Sequence, residues 1–190
     1  MVKKIILLFL VFPCVIKAQE GQYIHKHLTR GTLTFSTGAI TGGISNPVCL
    51  TGNLEYYLDN KVSVRGDGFF KVADLNKSSY LGNYGGLLSG IVYHPKTNNH
   101  IDPFIGLQMG LVSSEYNPQS VIMTLIAIPP SISTSPAISP LIGLNYYANK
   151  WFHITLQGRY LKAKHLPGNG YSSFKINDIS FQFGLGFNLF

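Results

Sequence analysis

The sequence is poor in charged residues. Asp, Glu, Lys and Arg make up 12% of its 190 residues, about half of the roughly 25% that is usual in soluble globular domains. Beyond its amino terminus the chain also lacks any apolar run of about 18 residues, which excludes a membrane-spanning helix. It has no block of Lys and Arg interleaved with aromatic residues. Binding to nucleic acid therefore has little support.

Cysteine is equally scarce, because only Cys14 and Cys49 are present. Cys14 lies in an amino-terminal segment that we expect to be removed, so Cys49 would stand alone and no intramolecular disulfide could form. A lipoprotein signal at Cys14 is disfavoured, since Pro13 and Phe12 stand where such signals have small residues. No group of His and Cys has the spacing of metal ligands, and we predict no cofactor.

Residues 1–18 have the pattern of a cleaved signal peptide. Lys3 and Lys4 precede an apolar run over residues 5–16, and Ala18 supplies the small residue after which we predict cleavage. An uncleaved anchor is the alternative, but this apolar run is short for a bilayer that needs about 20 residues. Removal of the segment leaves 12 basic and 8 acidic side chains.

The last residues of the chain, "ISFQFGLGFNLF" over 179–190, alternate with a period of two. This period is typical of a β-strand with two different faces. One face carries Phe181, Phe183, Leu185, Phe187 and Leu189, and the other carries Gln182, Gly184, Gly186 and Asn188. One face is therefore large and apolar, while the other is small and polar.

Seven earlier segments are also predicted to be strands, which makes eight in all. Several show the same alternation clearly, whereas the fourth is less regular. The predicted strands cover residues 32–38, 50–58, 61–72, 87–94, 104–112, 140–148, 151–161 and 179–190.

The predicted connections between these strands alternate in length. Short or medium connections lie at 59–61, 95–102 and 149–150, and long ones lie at 39–47, 74–83, 113–135 and 163–175. In an up-and-down sheet the short and long connections fall at opposite ends. This asymmetry is typical of outer-membrane barrels, which have short periplasmic turns and long outside loops.

The composition of the two faces favours a membrane barrel over a soluble one. A soluble barrel has its apolar residues inside and its charges outside. Here the polar face is rich in Gly, Gln, Asn, Thr and Ser rather than in Lys and Glu, which suits a narrow lumen. A secreted soluble barrel that binds a small apolar ligand stays open as the alternative, since alternation alone does not say which face is inside.

With this strand pattern, the stretch "LNYYANKWFHITLQGRYL" over 144–161 and the terminal Phe190, the sequence resembles the small Gram-negative outer-membrane β-barrels of the OmpA/OmpX-like group. The resemblance implies an all-β, eight-stranded antiparallel up-and-down transmembrane β-barrel over residues 31–190. It also implies location in the outer membrane, contact with its lipid and lipopolysaccharide, and a structural or interaction role without enzymatic activity. In such barrels the terminal aromatic residue is recognised by the barrel-assembly machinery, a role that would fall to Phe190.

Five charged residues share the polar phase of their strands and are predicted to face the lumen. They are Glu55, Arg65, Asp67, Lys71 and Arg159. Opposite charges in a narrow lumen are expected to pair, because an isolated buried charge is costly. We predict that this network is a structural plug. The alternative is a gate for a small solute, but the lumen of an eight-stranded barrel has little free space for one.

A lipid-modifying barrel enzyme is the alternative from another functional class. It would need a nucleophile beside a base at the outer rim. His165 is predicted to lie in the last long connection near Ser172 and Ser173, without a defined spacing, whereas His153 and Thr155 lie near the short-turn end. We therefore predict no catalytic residues.

The third long connection, 113–135, contains an apolar stretch that is unexpected in an outside loop. Its apolar residues are Val121, Ile122, Met123, Leu125, Ile126 and Ile128. An exposed apolar segment usually marks a contact site, here for a protein partner. The alternative is a tall hairpin that merges with lipopolysaccharide. Residues 19–30 are predicted to be a short periplasmic tail.

Overall fold

The computed structural model describes residues 23–41, 45–75, 79, 81–96, 100–116, 131–166 and 173–189. These residues form eight strands: β1 (Thr29–Ile40), β2 (Pro47–Tyr57), β3 (Val62–Asp74), β4 (Leu81–Tyr93), β5 (Ile101–Tyr116), β6 (Ser131–Tyr147), β7 (Phe152–His165) and β8 (Phe174–Asn188). Each strand pairs antiparallel with its neighbours in sequence, and β1 also pairs with β8, so the sheet is a closed barrel. The predicted eight-stranded up-and-down fold is confirmed. Within the described residues no helix is long and apolar enough to span a membrane.

The large apolar side chains of the strands point outwards. In β8, Phe181 and Phe183 are more than half exposed, whereas Gln182 between them is buried. At the closure of the barrel, Phe35 of β1 lies opposite Phe183. The same alternation gives the other strands an apolar outer face, whose most exposed members include Leu54, Phe70, Leu87, Ile91, Ile105, Met109, Ile142 and Leu156. This polarity is opposite to that of a soluble barrel.

Several strands extend beyond the segments predicted for them. β1 begins at Thr29, β5 continues to Tyr116 and β6 begins at Ser131. In the first part of β6 the buried positions are small, as at Ser133, and Ile132 beside it is exposed. Small buried residues give weak apolar contrast, so the beginning of this strand could not be recognised from periodicity.

Two of the short turns are fixed by a side chain of the same kind. Asp59 Oδ1 accepts hydrogen bonds from the backbone nitrogens of Lys61 and Val62, at 2.6 and 2.7 Å. These bonds hold the pKa of the exposed Asp59 carboxyl below its usual range. Asn149 Oδ1 likewise accepts hydrogen bonds from the backbone nitrogens of Trp151 and Phe152, at 2.8 and 2.9 Å. Asx side chains favour tight turns for this reason.

The barrel interior is not polar throughout. Towards the long connections the inward side chains form an apolar cluster that includes Ile40, Val112, Leu161 and Ile176. Towards the short turns a second cluster consists of Tyr23, Ile24, Leu28, Tyr57 and Tyr147. Most of the buried polar residues lie between the two clusters or beside the second. The polar face predicted from the sequence therefore describes the middle and the short-turn end of the interior, whereas near the long connections the inward residues of the first cluster are apolar and pack against one another.

Candidate functional site

The five charges predicted to line the lumen occupy inward positions but lie in separate groups. Glu55, Arg65, Asp67 and Arg159 are buried, and Lys71 is largely buried. Glu55 pairs with a residue outside the predicted set, whereas Arg65 pairs with Asp67. Lys71 Nζ lies 3.4 Å from Oδ2 of the nearby Asp74. Arg159 has no hydrogen-bonding partner among the described residues.

Arg30, the second residue of β1, is the centre of the best-connected group. Its Nη2 and Nε donate to Glu55 Oε2 at 2.8 and 3.1 Å. Its Nη1 donates to Asp102 Oδ2 at 3.3 Å and to the hydroxyl of Tyr147 at 2.5 Å. The guanidinium also lies over the ring of Tyr57, with 5.2 Å between Cζ and the ring centroid. These partners offset the cost of burying the charge.

His94 links the same two carboxylates from the opposite side. It lies directly after β4, with Nδ1 at 2.8 Å from Asp102 Oδ1 and Nε2 at 2.9 Å from Glu55 Oε1. Burial alone lowers the pKa of His94, but the hydrogen bonds to Asp102 and Glu55 outweigh it, so its pKa is raised. A protonated imidazole has a donor on each ring nitrogen, which matches two carboxylate acceptors.

Neutral side chains complete this group. Ser63 Oγ donates to Glu55 Oε1, and Asn145 Nδ2 donates to Asp102 Oδ2 at 2.8 Å. Thr155 Oγ1 in turn donates to Asn145 Oδ1 at 2.7 Å. All four carboxylate oxygens therefore accept hydrogen bonds, so the group is a satisfied network. We call these residues, together with Arg30, His94 and Tyr147, the turn-end network. In the described part of the chain no group of His, Cys, Asp and Glu is arranged to hold a metal ion.

Of Arg30, Glu55, His94 and Asp102 in the turn-end network, only Glu55 was predicted from the sequence to belong to a lumen network. Arg30 has the inward phase of Thr32 and Thr34, but it precedes the first predicted strand. His94 ends a predicted strand of unclear phase, and Asp102 lies in a predicted connection. The sequence signal that could have identified Arg30, His94 and Asp102 is a charged or titratable side chain near a strand end, in phase with the polar face.

Residues 23–28 cover the short-turn end of the barrel. The ring of Tyr23 stacks on that of Tyr147, with 5.3 Å between centroids and 4° between planes. Ile24 and Leu28 are buried. Backbone bonds of 2.9 Å join His27 N to Tyr57 O and Tyr57 N to Leu28 O. The part of the predicted tail that the structure describes therefore packs onto the barrel end, and its last two residues, Thr29 and Arg30, belong to β1.

The middle of the interior holds two arginines with different surroundings. Arg65 Nε and Nη2 donate to Asp67 Oδ1 and Oδ2 at 2.7 and 3.2 Å, an ion pair within one strand. Arg159 stacks on the ring of Phe69, with 4.5 Å between Cζ and the centroid. Its Nε, Nη1 and Nη2 are all buried and have no partner in the described part of the barrel. The carboxylate of Asp178 on β8 interacts with this guanidinium electrostatically, but no hydrogen bond joins the two.

His165 is the last residue of β7 rather than part of a loop. Its Nδ1 is 2.8 Å from Ser114 Oγ, and its ring stacks on Phe174. Its Nε2 is buried without a partner among the described residues, and no carboxylate there bonds to the ring. The pair therefore lacks the third group that orients a catalytic base. His153 and Thr155 are buried at the short-turn end.

Several predicted features lie outside the described residues. These are residues 1–18, the apolar stretch 121–128, Ser172 and Phe190. Ser173 is described and is exposed next to the start of β8.

The sequence matches no family model and no curated protein. Solved structures with the same fold include neisserial surface protein A, with 12% identity over 85% of this chain and 96% of that one at a TM-score of 0.63. OprG from Pseudomonas aeruginosa has 15% identity over 89% and 99%, at 0.54. The attachment invasion locus protein Ail of Yersinia pestis has 13% identity over 87% and 99%, at 0.52. The chain thus has the fold of the small eight-stranded outer-membrane β-barrels.

Proposed function

We propose that this chain is an integral outer-membrane protein of a Gram-negative bacterium with a structural or interaction role and no enzymatic activity. The observation that carries the proposal is the continuous apolar outer face of a closed barrel. A closed barrel leaves no unpaired sheet edge, and outward Phe, Leu and Ile side chains suit contact with lipid.

Aromatic side chains at the short-turn end support the placement of the barrel in a membrane. Tyr56, Tyr93, Tyr146 and Trp151 are all partly exposed near the ends of their strands or in a turn. Girdles of Tyr and Trp lie at membrane–water interfaces in outer-membrane barrels. Because outer-membrane barrels have short periplasmic turns and long outside loops, the short-turn end would face the periplasm and the long connections would face the outside.

We further propose that the interior is closed to solutes along the barrel axis. At the short-turn end, residues 23–28 and the turn-end network fill the interior, and at the other end the cluster around Val112 and Leu161 does so. Eight strands leave space only for side chains. A plug rather than a gate fits a network in which every carboxylate oxygen already has a partner.

Interaction with partners would fall to the long connections. In this proposal residues 1–18 direct export, Phe190 is recognised by the assembly machinery, and the apolar stretch 121–128 contacts a protein partner or lipopolysaccharide. Deletion of residues 121–128 should leave barrel assembly intact if the stretch is a contact loop. Loss of the folded barrel on deletion would contradict that role.

Cell fractionation tests the location directly. The full chain should be found in the outer-membrane fraction, require detergent for extraction and migrate differently on gels with and without boiling. Recovery in the soluble fraction without a heat-dependent shift would contradict the proposal. Vesicles containing the purified protein should not swell in small sugars, and rapid swelling would contradict the closed interior alone.

A further inference from the structure

Three lysines lie close together on the outer wall of the barrel near the long connections. Lys162 and Lys164 lie near the end of β7, and Lys175 is the second residue of β8. All three side chains are exposed. They alternate with buried residues such as Leu161 and Ile176, so they point away from the lumen. We call these three lysines the basic patch.

The register of β7 and β8 brings the three cations together. Lys164 lies directly opposite Lys175, and the Cβ atoms of such residues are about 4.5–5.5 Å apart. Lys162 lies opposite Asn177 and is therefore the diagonal neighbour of Lys175, at about 7–8 Å. Like charges directly opposite each other destabilise a sheet. An anion bound between the lysines would offset this repulsion.

Within the described residues, no acidic side chain neutralises the basic patch. The salt bridges there involve Arg30, Arg65, Lys71 and His94 and none of the three lysines. Asp178 of β8 is buried and points into the lumen. The charge of the patch is therefore directed towards the surroundings of the barrel.

The neighbouring part of β6 is also uncharged. Ile138 lies opposite Lys162, and the pairing of β6 with β7 skips from Ile138 to Leu141. Pro136 and Pro140 lie on either side of Ile138, and proline lacks the backbone N–H that a ladder requires. β6 stays paired with β5 through both prolines, so the interruption falls on the β7 side. The patch is therefore held in place by β8 and has neutral residues on its other side.

The basic patch lies at the height expected for the headgroups of the outer leaflet. Lys162 follows Phe152, the first residue of β7, by ten residues. At about 3.3 Å per residue and a tilt of about 40°, this separation is about 25 Å along the barrel axis. The apolar band of an outer-membrane barrel has about this height. Tyr160, the last outward residue before the patch, is partly exposed and suits the border of that band.

Exposed positive charge at this end of the barrel is limited to two adjacent strands. In the part of the chain that the structure describes, outward residues near the same end of other strands include the neutral Thr41, Ser113 and Thr134. Lys71 of β3 is largely buried and lies beside Asp74. Hydration of the rim in general does not require three cations at one place, so their distribution favours a specific anionic ligand.

We propose that the basic patch binds a phosphate group of lipid A, the phosphorylated glycolipid part of lipopolysaccharide. The proposal rests on the membrane location proposed above. A phosphate has several acceptor oxygens and forms strong, charge-assisted hydrogen bonds with ammonium groups. Lysine stems lie along apolar surface while their charges reach the headgroups, and the apolar wall below the patch suits acyl chains. A position on the wall, rather than on a loop, favours a lipid over an acidic protein.

Binding can be measured with the full chain in neutral-detergent micelles, using a fluorescent, bisphosphorylated lipid A as the probe. EDTA is included so that no divalent cation bridges the probe to an acidic side chain. We expect a saturable increase in fluorescence anisotropy. Unlabelled lipid A should compete at least tenfold better than dephosphorylated lipid A. Absence of saturable binding, or equal competition by the dephosphorylated lipid, would overturn the proposal.

Replacement of all three lysines of the basic patch by Gln should weaken binding at least tenfold, because each lysine near an anionic lipid surface contributes about fivefold. Replacement of the three by Arg should preserve binding, since a guanidinium also donates to phosphate. The charge-matched control replaces Lys26, Lys61 and Lys150, which are exposed at the short-turn end, by Gln. This control should bind like the unmodified chain. Equal weakening by the two Gln sets would overturn the proposal.

The heat-dependent gel shift verifies that each variant is folded. If the triple Gln variant does not fold, Lys164→Gln and Lys164→Arg decide, because only the former should weaken binding, by at least threefold. Equal binding by these two variants would overturn the proposal.

Competition by other anions distinguishes the source of the phosphate. Phosphatidylglycerol that competes as well as lipid A would assign the patch to anionic lipids in general. Millimolar inorganic phosphate that displaces the probe would assign it to a free anion. Either result would overturn the proposal. Outer-membrane fractionation of the same chain tests the membrane location separately, so failure of lipid A binding leaves that location intact.

Discussion

Arg30 and Arg159 are both buried on the inward face of the same barrel, yet their surroundings differ. Arg30 donates to Glu55, Asp102 and Tyr147. Arg159 lies over an aromatic ring and has no acceptor in the described part of the chain. Hydrogen-bonded partners offset the cost of burying the charge of Arg30, whereas at Arg159 the charge of Asp178 acts without a hydrogen bond.

The wall around the two arginines differs in the same way. Arg30 is paired on both sides, opposite Glu55 in β2 and Asn188 in β8. Arg159 is the last residue of the continuous ladder between β6 and β7. The ladder is complete on both sides of Arg30, whereas beside Arg159 it is interrupted on the β6 side. This contrast predicts effects of different size, and the largest concerns Arg30.

Substitution of Arg30 by Met should have the largest effect on stability. It leaves Glu55 and Asp102 buried without their cation, and loss of one partner of a buried ion pair costs about 3–5 kcal/mol. The free energy of unfolding can be measured in urea in lipid vesicles from the fluorescence of Trp151, the only tryptophan. Lys175→Met, at an exposed position away from Trp151, is the control and should have little effect in vesicles that lack lipopolysaccharide. A loss below about 1 kcal/mol at Arg30 would show that the network adds little stability.

The interrupted ladder between β6 and β7 should be detectable by amide hydrogen exchange. Residues 161–165 of β7 pair with β8, but only Lys162 among them lies opposite a residue of β6 in the described ladder. Their amides directed towards β6 should exchange at least tenfold faster than those of β5 directed towards β6, where the ladder is continuous. Replacement of Pro136 and Pro140 by Val should slow this exchange. Equal protection in the two ladders before replacement would argue against weaker bonding between β6 and β7.

The sequence predicted the fold well because each strand repeats one physical requirement. Apolar residues alternate with small polar ones, and Phe35, Phe183 and Leu185 all point outwards as the pattern indicated. The turns at Asp59 and Asn149 were recognisable for the same local reason, since an Asx side chain bonds to its own turn. These signals depend only on neighbours in sequence.

The candidate site was harder to predict, because it depends on contacts between distant strands. Arg30 and Asp102 are 72 positions apart in sequence, and which charges meet is set by the register around the whole barrel. The interruption of the ladder between β6 and β7 was missed for another reason. Pro136 lay just after a predicted loop and Pro140 at the start of a predicted strand, so neither was interpreted as a break in a ladder.

Substitution of Arg159 by Gln should affect stability far less than substitution of Arg30. No hydrogen bond to another described residue is lost, but the stacking on Phe69 and the attraction of Asp178 are, so the free energy of unfolding should fall by about 1–2 kcal/mol. The same urea titration measures it, with Arg65→Gln as the matched control, since Arg65 would lose its bonds to Asp67. A loss at Arg159 as large as at Arg30 would indicate that a partner within the protein already satisfies it.

The smallest expected effect concerns pH and belongs to the turn-end network. The pKa of His94 is raised by Asp102 and Glu55, so its protonated form stabilises the folded state. This contribution is complete below about pH 6.5 and is lost as the pH rises through the higher folded-state value. The urea midpoint should therefore fall as the pH rises above about 6.5, and His94→Gln should remove this slope, while the exposed His25→Gln should keep it. If the urea midpoint of His94→Gln still falls with pH, His94 does not contribute to the pH dependence. The stability of the turn-end network would then depend on Arg30 and its carboxylates alone.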